Sequence, residues 1–208
     1  MYRTSSNKKH STWLYGLSSK EFALISIFSS FWIASQLTLG PIIGSIPVGP
    51  FSLHGVVNRL VGWLVMLVLA ELTGKFGRVS IMASIVAIIT RVIRRSASLY
   101  VLVVGLGYAL GGLAFDTLFF LPVMRTLQGN KRKIYLGLIS IISGAIASTP
   151  YLIYKLSVLG YTSFIVLSPV YLTSTVKGIV FSLLGTLFAL SFSSRLKPLW
   201  SVHKENFV

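Results

Sequence analysis

The sequence predicts an all-α, polytopic integral membrane protein, with about six transmembrane helices in one bundle and both termini on the cytoplasmic side. Three observations carry this. Of 208 residues, 54% are hydrophobic and only 11% charged, and the mean hydropathy of +0.80 is beyond the range of a water-soluble domain. Apolar runs recur at bilayer length, since a hydrocarbon core of about 30 Å takes roughly 20 residues at about 1.5 Å each. The charges gather between those runs.

A basic leader, residues 1–20, opens the chain. It reads as a cytoplasmic arm and not a cleavable signal, because the apolar run after it has full bilayer length and leads to Gly40-Pro41 instead of a small-x-small site. The membrane domain is expected over residues 21–194. Its first run is Phe22 to Leu39, leaving the membrane at Gly40-Pro41. The second, Gly55 to Leu72, stops at Thr73-Gly74-Lys75-Phe76-Gly77-Arg78. The third, Val79 to Ile93, is the shortest and meets Arg94-Arg95. The fourth, Leu99 to Leu121, is closed by Pro122, which has no N–H for the helical ladder. The fifth, Ile134 to Ile153, should kink or stop at Pro150; the sixth, Val166 to Phe192, should begin irregularly at Pro169. A basic tail, residues 195–208, ends the chain. Most Lys and Arg fall on one side if the N-terminus is inside: Arg3, Lys8, Lys9, Lys20, Lys75, Arg78, Arg125, Lys131, Arg132, Lys133, Arg195, Lys197 and Lys204. Cytoplasmic segments retain such residues, so N-in and C-in is expected.

Composition removes several function classes. Cysteine is absent, and Asp and Glu number 4 against 19 Lys and Arg, for a formal charge of +15. The sequence holds no G-x-S-x-G, H-E-x-x-H or P-loop pattern and no acid cluster for a metal, and His10, His54 and His203 lie in separate segments. An enzyme is disfavoured, and no cofactor or metal is expected. The basic leader has no aromatic or motif context for nucleic acid, so anionic headgroups are its simplest partner.

Helices in lipid associate through close approach at small residues. Four-residue spacing of such residues occurs at Ser26, Ser30, Ala34; at Gly107, Gly111; at Ser140, Gly144, Ser148; and at Gly185, Ala189, Ser193. These seams join the helices to one another, or one is left for a partner. The first helix is the best candidate for a partner interface, with Phe28, Phe31 and Trp32 on its opposite side, facing lipid or protein.

Ionisable residues inside a membrane are costly and point to function. Asp116 and Glu71 lie near the cytoplasmic ends of their helices, as ion-pair partners for Lys75, Arg78 or Arg125 or as coupling residues. At the outer ends stand Arg59, Arg91, Arg94, Arg95, Lys155 and Lys177, and no carboxylate accompanies them. Lipid phosphates can neutralise Arg94 and Arg95, which can snorkel. Arg59 and Lys177 sit deeper and point to an anionic ligand. His54, Asn58, Trp63, Tyr100, Tyr108, Tyr151, Tyr154, Tyr161 and Tyr171 lie around them, as interfacial belt residues or as side chains that hold a small molecule. We take Arg59, Asn58, His54, Trp63, Arg91, Tyr108, Tyr151, Lys155 and Lys177 as the substrate-binding candidates. The apolar, Pro- and Gly-rich stretch from Pro41 to Leu53 reads as a lid over the outer mouth or as an interfacial loop.

Six short helices in about 200 residues, the Ser26, Ser30, Ala34 seam, the long apolar first external loop, and Gly105-Leu106-Gly107-Tyr108-Ala109-Leu110-Gly111-Gly112-Leu113-Ala114-Phe115-Asp116 together resemble the substrate-binding S-component of an energy-coupling factor transporter. Serines stand at two seam positions that are usually alanine in that family. The resemblance implies a multi-pass cell-membrane subunit that captures a vitamin or precursor outside, while a transmembrane coupling subunit and cytoplasmic ATPases supply the energy. The unaccompanied cations add a preference for a carboxylate- or phosphate-bearing solute. The competing expectation is a structural or assembly subunit of another membrane complex, with no ligand of its own.

Overall fold

Helix α1 (Ser19–Gly44) starts on a reciprocal cap: the Ser18 hydroxyl accepts from the Glu21 N–H at 3.2 Å, and the Glu21 carboxylate accepts from the Ser18 N–H at 2.9 Å. The structure is a computed structural model that describes residues 16–48, 51–53, 55–94 and 98–205. After α1, strands β1 (Pro47–Val48) and β2 (Phe51–Ser52) pair antiparallel, Val48 opposite Phe51. Helices α2 (Val56–Thr73), α3 (Arg78–Ile93) and α4 (Leu99–Phe119) follow, then the short α5 (Pro122–Thr126) and the long α6 (Gly129–Glu205).

Helix α6 is two helices. At Gly160, φ 74° and ψ 166° leave helical space for a conformation that only glycine adopts cheaply. The arms, 129–159 and 161–205, fold back on each other: Ser140 hydrogen-bonds Thr186, Gly144 lies against Ser182, and the Tyr151 ring meets Tyr171. As one partner number rises the other falls, so the arms are antiparallel.

Among the described residues, four stretches are long and apolar enough to cross a membrane: Ser19–Gly44, Val56–Thr73, Leu99–Phe119 and Gly129–Phe192, the last divided by Gly160. Helix α3, with 16 residues, is shorter. Helix α2 is the most buried of the four and packs against α1, α3, α4 and α6, so the bundle is built around it. Trp63, Met66, Leu67 and Leu69 on α2 are fully buried, alongside Trp32, Met82, Phe115 and Leu136 from its neighbours.

The small-residue seams of α4 and α6 lie at helix crossings. A Cβ at Gly107 would overlap the Ala147 carbonyl oxygen, and one at Gly111 would come within 2.7 Å of the Ala147 Cβ. A Cβ at Gly185 would overlap the Leu60 carbonyl oxygen of α2. The α1 seam differs: Ser26, Ser30 and Ala34 are exposed.

Several expected boundaries are corrected. Helix α1 does not stop at Gly40-Pro41 but runs through Pro41 to Gly44. Likewise α6 passes through Pro150 and Pro169, and its non-helical residue is Gly160. A proline removes one ladder bond, and the remaining bonds of these long helices carry the chain past it. Pro122 takes the first position of α5, where a missing N–H costs nothing. Pro41 to Gly44 are therefore helix and not loop. Trp32 is also not presented outward: it is fully buried, and Phe28 packs against the core, because the indole N–H finds a partner only inward.

Candidate functional site

The two ends of the bundle carry opposite chemistry. The four acids are Glu21, Glu71, Asp116 and Glu205. The first three sit at one end, where α1 and α3 begin and α2 and α4 finish. There Glu21, buried, accepts from Lys75 at 2.7 Å and from Arg78 at 3.2 Å. Glu71 pairs with Arg132. Asp116 does not take Lys75, Arg78 or Arg125 in an ion pair. One of its oxygens accepts from the Gly77 N–H at 2.8 Å, the Ser80 N–H at 3.1 Å and the Ser80 hydroxyl at 2.8 Å. Those amides open α3, and a carboxylate at a helix N-terminus satisfies both orphan donors and dipole, which outweighs a longer reach to a cation. Sequence reasoning missed Glu21, although Ser18-x-x-Glu21 ahead of an apolar run is its signature.

At the other end lie two cavities, and among the described residues neither is lined by a carboxylate. Regular helical spacing builds the first, of about 160 Å³. Tyr100, Val104 and Tyr108 recur every four residues on α4, Ser174, Lys177 and Gly178 share a face of the second arm of α6, and Ser148 and Tyr151 stand opposite on the first arm. Arg59 of α2 reaches into this space. It donates to the Gly144 carbonyl at 3.0 Å and the Ser148 hydroxyl at 2.9 Å, and its guanidinium carbon lies 5.1 Å from the Trp63 ring centre and 5.5 Å from that of Tyr108. No carboxylate pairs with it among the described residues.

The second cavity, about 470 Å³, shares Gly55, Tyr100, Val104 and Tyr108 with the first, and adds Gln36, Asn58, Arg91 and Arg94. Arg91 is 8% exposed and donates from Nε to the Val101 carbonyl at 3.0 Å and from a terminal nitrogen to the Thr90 hydroxyl at 2.8 Å. Its guanidinium carbon lies 5.9 Å from the same Tyr108 ring. The two guanidinium carbons are thus at most about 11 Å apart, and at an effective dielectric near 20 they repel by about 1.5 kcal/mol or more. An anion between them reverses that sign.

The nine candidates therefore separate. Arg59, Tyr108, Tyr151 and Lys177 line the first cavity, and Asn58, Arg91 and Tyr108 the second. Trp63 lines neither: it is one helical turn below Arg59, fully buried, and donates to the Ser143 hydroxyl at 2.9 Å. Lys155 is likewise outside both linings, with its ammonium 5.7 Å and 5.8 Å from the Tyr100 and Tyr151 ring centres. Asn58 is also a structural partner, accepting from the Trp32 indole N–H at 2.6 Å. His54 and Arg95 lie outside the described residues, and no described side chain from Pro41 to Leu53 lines either cavity. Sequence reasoning missed Gln36, Ser174 and Thr175. Hydroxyls three and two residues before Lys177 in an apolar helix are the signal that points to the last two.

Compared with protein-family models, with curated proteins and with solved structures, the chain matches none.

Proposed function

We propose that this chain is a multi-pass membrane subunit that captures a small anionic solute at the end of the bundle where Arg59 and Lys177 meet. The observation that carries the reading is Arg59: a guanidinium held by two hydrogen bonds and two aromatic rings, facing a cavity with hydroxyls and no carboxylate. A cation partly withdrawn from water without a counter-ion is unfavourable, and a bound anion reduces the penalty. The volume supports a small group, since about 160 Å³ is close to the roughly 150 Å³ of a cavity that takes up a benzene-sized guest. A carboxylate or phosphate head fits that space.

The wider reading is an energy-coupling factor S-component with six spans and both termini inside. Helices α1 to α4 and the two arms of α6 supply the spans, and the acid-bearing end faces the cytoplasm together with Lys75, Arg78 and Arg132. The coupling subunit then meets the exposed line of Ser26, Ser30 and Ala34, and cytoplasmic ATPases drive release. The test is thermal unfolding of the detergent-purified chain against a panel of water-soluble vitamins and precursors. A carboxylate- or phosphate-bearing compound should raise the midpoint, and Arg59→Gln should abolish the rise. A panel in which only cationic or neutral compounds stabilise, or in which nothing does, overturns the assignment.

A further inference from the structure

The second cavity is built around charge as firmly as the first. Arg91 is buried, has no carboxylate partner among the described residues, and is oriented by the Val101 carbonyl and the Thr90 hydroxyl. Arg94 joins it in the lining, donating to the Gln36 backbone carbonyl at 3.1 Å. Gln36 itself is 5% exposed, and its side-chain oxygen has no hydrogen-bond partner. A buried cation and a buried acceptor, both without complements, call for a guest with an anionic group and a hydrogen-bond donor.

The cavities share the wall formed by Tyr100, Val104 and Tyr108, and Arg59 and Arg91 both lie against the Tyr108 ring. We infer that the captured solute carries two anionic groups, one received by Arg59 in the first cavity and one by Arg91 and Arg94 in the second, with its body passing Tyr108. This rests on the solute-capturing reading and narrows its substrate class to dicarboxylates, phosphorylated carboxylates or bisphosphorylated compounds. The two guanidinium carbons that receive the anionic groups lie at most about 11 Å apart. A lipid phosphate offers the same charge at Arg94, so the test must separate the two sources.

Straight-chain dicarboxylates of increasing length and monocarboxylates of equal length are titrated calorimetrically into the chain in phosphatidylcholine nanodiscs, and again in phosphatidylglycerol nanodiscs. The expected result is a dicarboxylate, at an optimum length, binding at least tenfold tighter than its monocarboxylate in both lipids. In Arg91→Gln and Arg94→Gln the ratio should fall toward one, while Arg59→Gln should remove binding of both compounds. Arg94 is exposed, so Arg94→Gln keeps the test open should Arg91→Gln fail to fold. Equal affinities in the wild type, or a ratio that survives both substitutions, overturn the second subsite and leave the first standing. An advantage present in phosphatidylcholine and erased by phosphatidylglycerol assigns the second subsite to lipid and likewise overturns the inference. No binding of these carboxylates, nor of a phosphorylated carboxylate or a bisphosphorylated compound titrated in the same way, overturns the capture reading itself.

Discussion

Gly185→Ala isolates how closely α6 packs on α2. A methyl at this position would overlap the Leu60 carbonyl oxygen and come within 3.0 Å of its carbonyl carbon. The obstacle is backbone, which cannot rotate aside, so the second arm of α6 must move away by on the order of 1 Å to reach ordinary carbon contact near 3.5 Å. Overpacking of this kind costs about 1–3 kcal/mol, and the backbone carbonyl sets this case at the upper end. Replacing a helical glycine by alanine returns about 1 kcal/mol, leaving a net loss near 2 kcal/mol. Gly137→Ala, on the first arm, is the matched control. Its methyl would meet only the Leu183 side-chain end at 3.4 Å, so the same propensity gain should survive almost intact. The two variants should therefore differ by about 3 kcal/mol, or roughly 6–12 °C of midpoint at about 2–4 °C per kcal/mol for a chain of this size. Thermal unfolding in one detergent measures it. Leu60 adjoins Arg59, so the destabilised variant should also lose affinity for any anion the wild type binds. Equal midpoints for the two variants would refute the close crossing of α2 and α6.

Two further outcomes follow from the polar contacts. Asp116→Asn keeps an acceptor for Gly77 and Ser80 but loses the charge at the start of α3, costing about 0.3–2 kcal/mol. Asp116→Ala leaves those partly buried donors unmatched, at the low end of about 1–3 kcal/mol each, so the alanine variant should melt a few degrees below the asparagine one. Equal effects in thermal unfolding would mean that the carboxylate acts through a cation after all. Trp32→Phe and Asn58→Ala, combined in a double-mutant cycle, should couple by about 1 kcal/mol through the bond between indole and carboxamide. Additive losses would place Trp32 outside that bond.

Much of the arrangement is legible because it depends on spacing alone. Glycines at 107 and 111 repeat every four residues, which puts them on one helix face and makes that face the place of closest approach whatever the neighbour is. Arg59 is equally legible, as a cation in an apolar run with no acid within several turns. Depth and division are not. The i to i+4 relation between Arg59 and Trp63 says that they share a face, but whether the mouth lies above one or both depends on where α4 and α6 cross α2. The two cavities share Gly55, Tyr100, Val104 and Tyr108 in their walls, a tertiary arrangement that spacing along one helix does not reveal. The path of the chain through Pro41, Pro150 and Pro169 is likewise not written in the prolines themselves, since one lost ladder bond does not end a long helix, whereas Gly160 breaks α6 by its own dihedrals. Asp116 was read by charge, but the nearest donors were the amides of another helix, which a linear sequence does not place beside it.

The shortness of α3 has a consequence for the surrounding lipid. Its 16 residues rise about 24 Å at about 1.5 Å each, against a hydrocarbon core of about 30 Å. Asp116 fastens its first turn to α4, while the Arg91 and Arg94 side chains tie its last turn to Val101 and Gln36. Tilting would only shorten the span of such a helix further, so wherever α3 crosses a bilayer the adjoining acyl chains must shorten to meet it, at a fraction of a kcal/mol per Å. Thinning of that kind would bring the headgroup layer down to the end of α3 that carries Arg91 and Arg94.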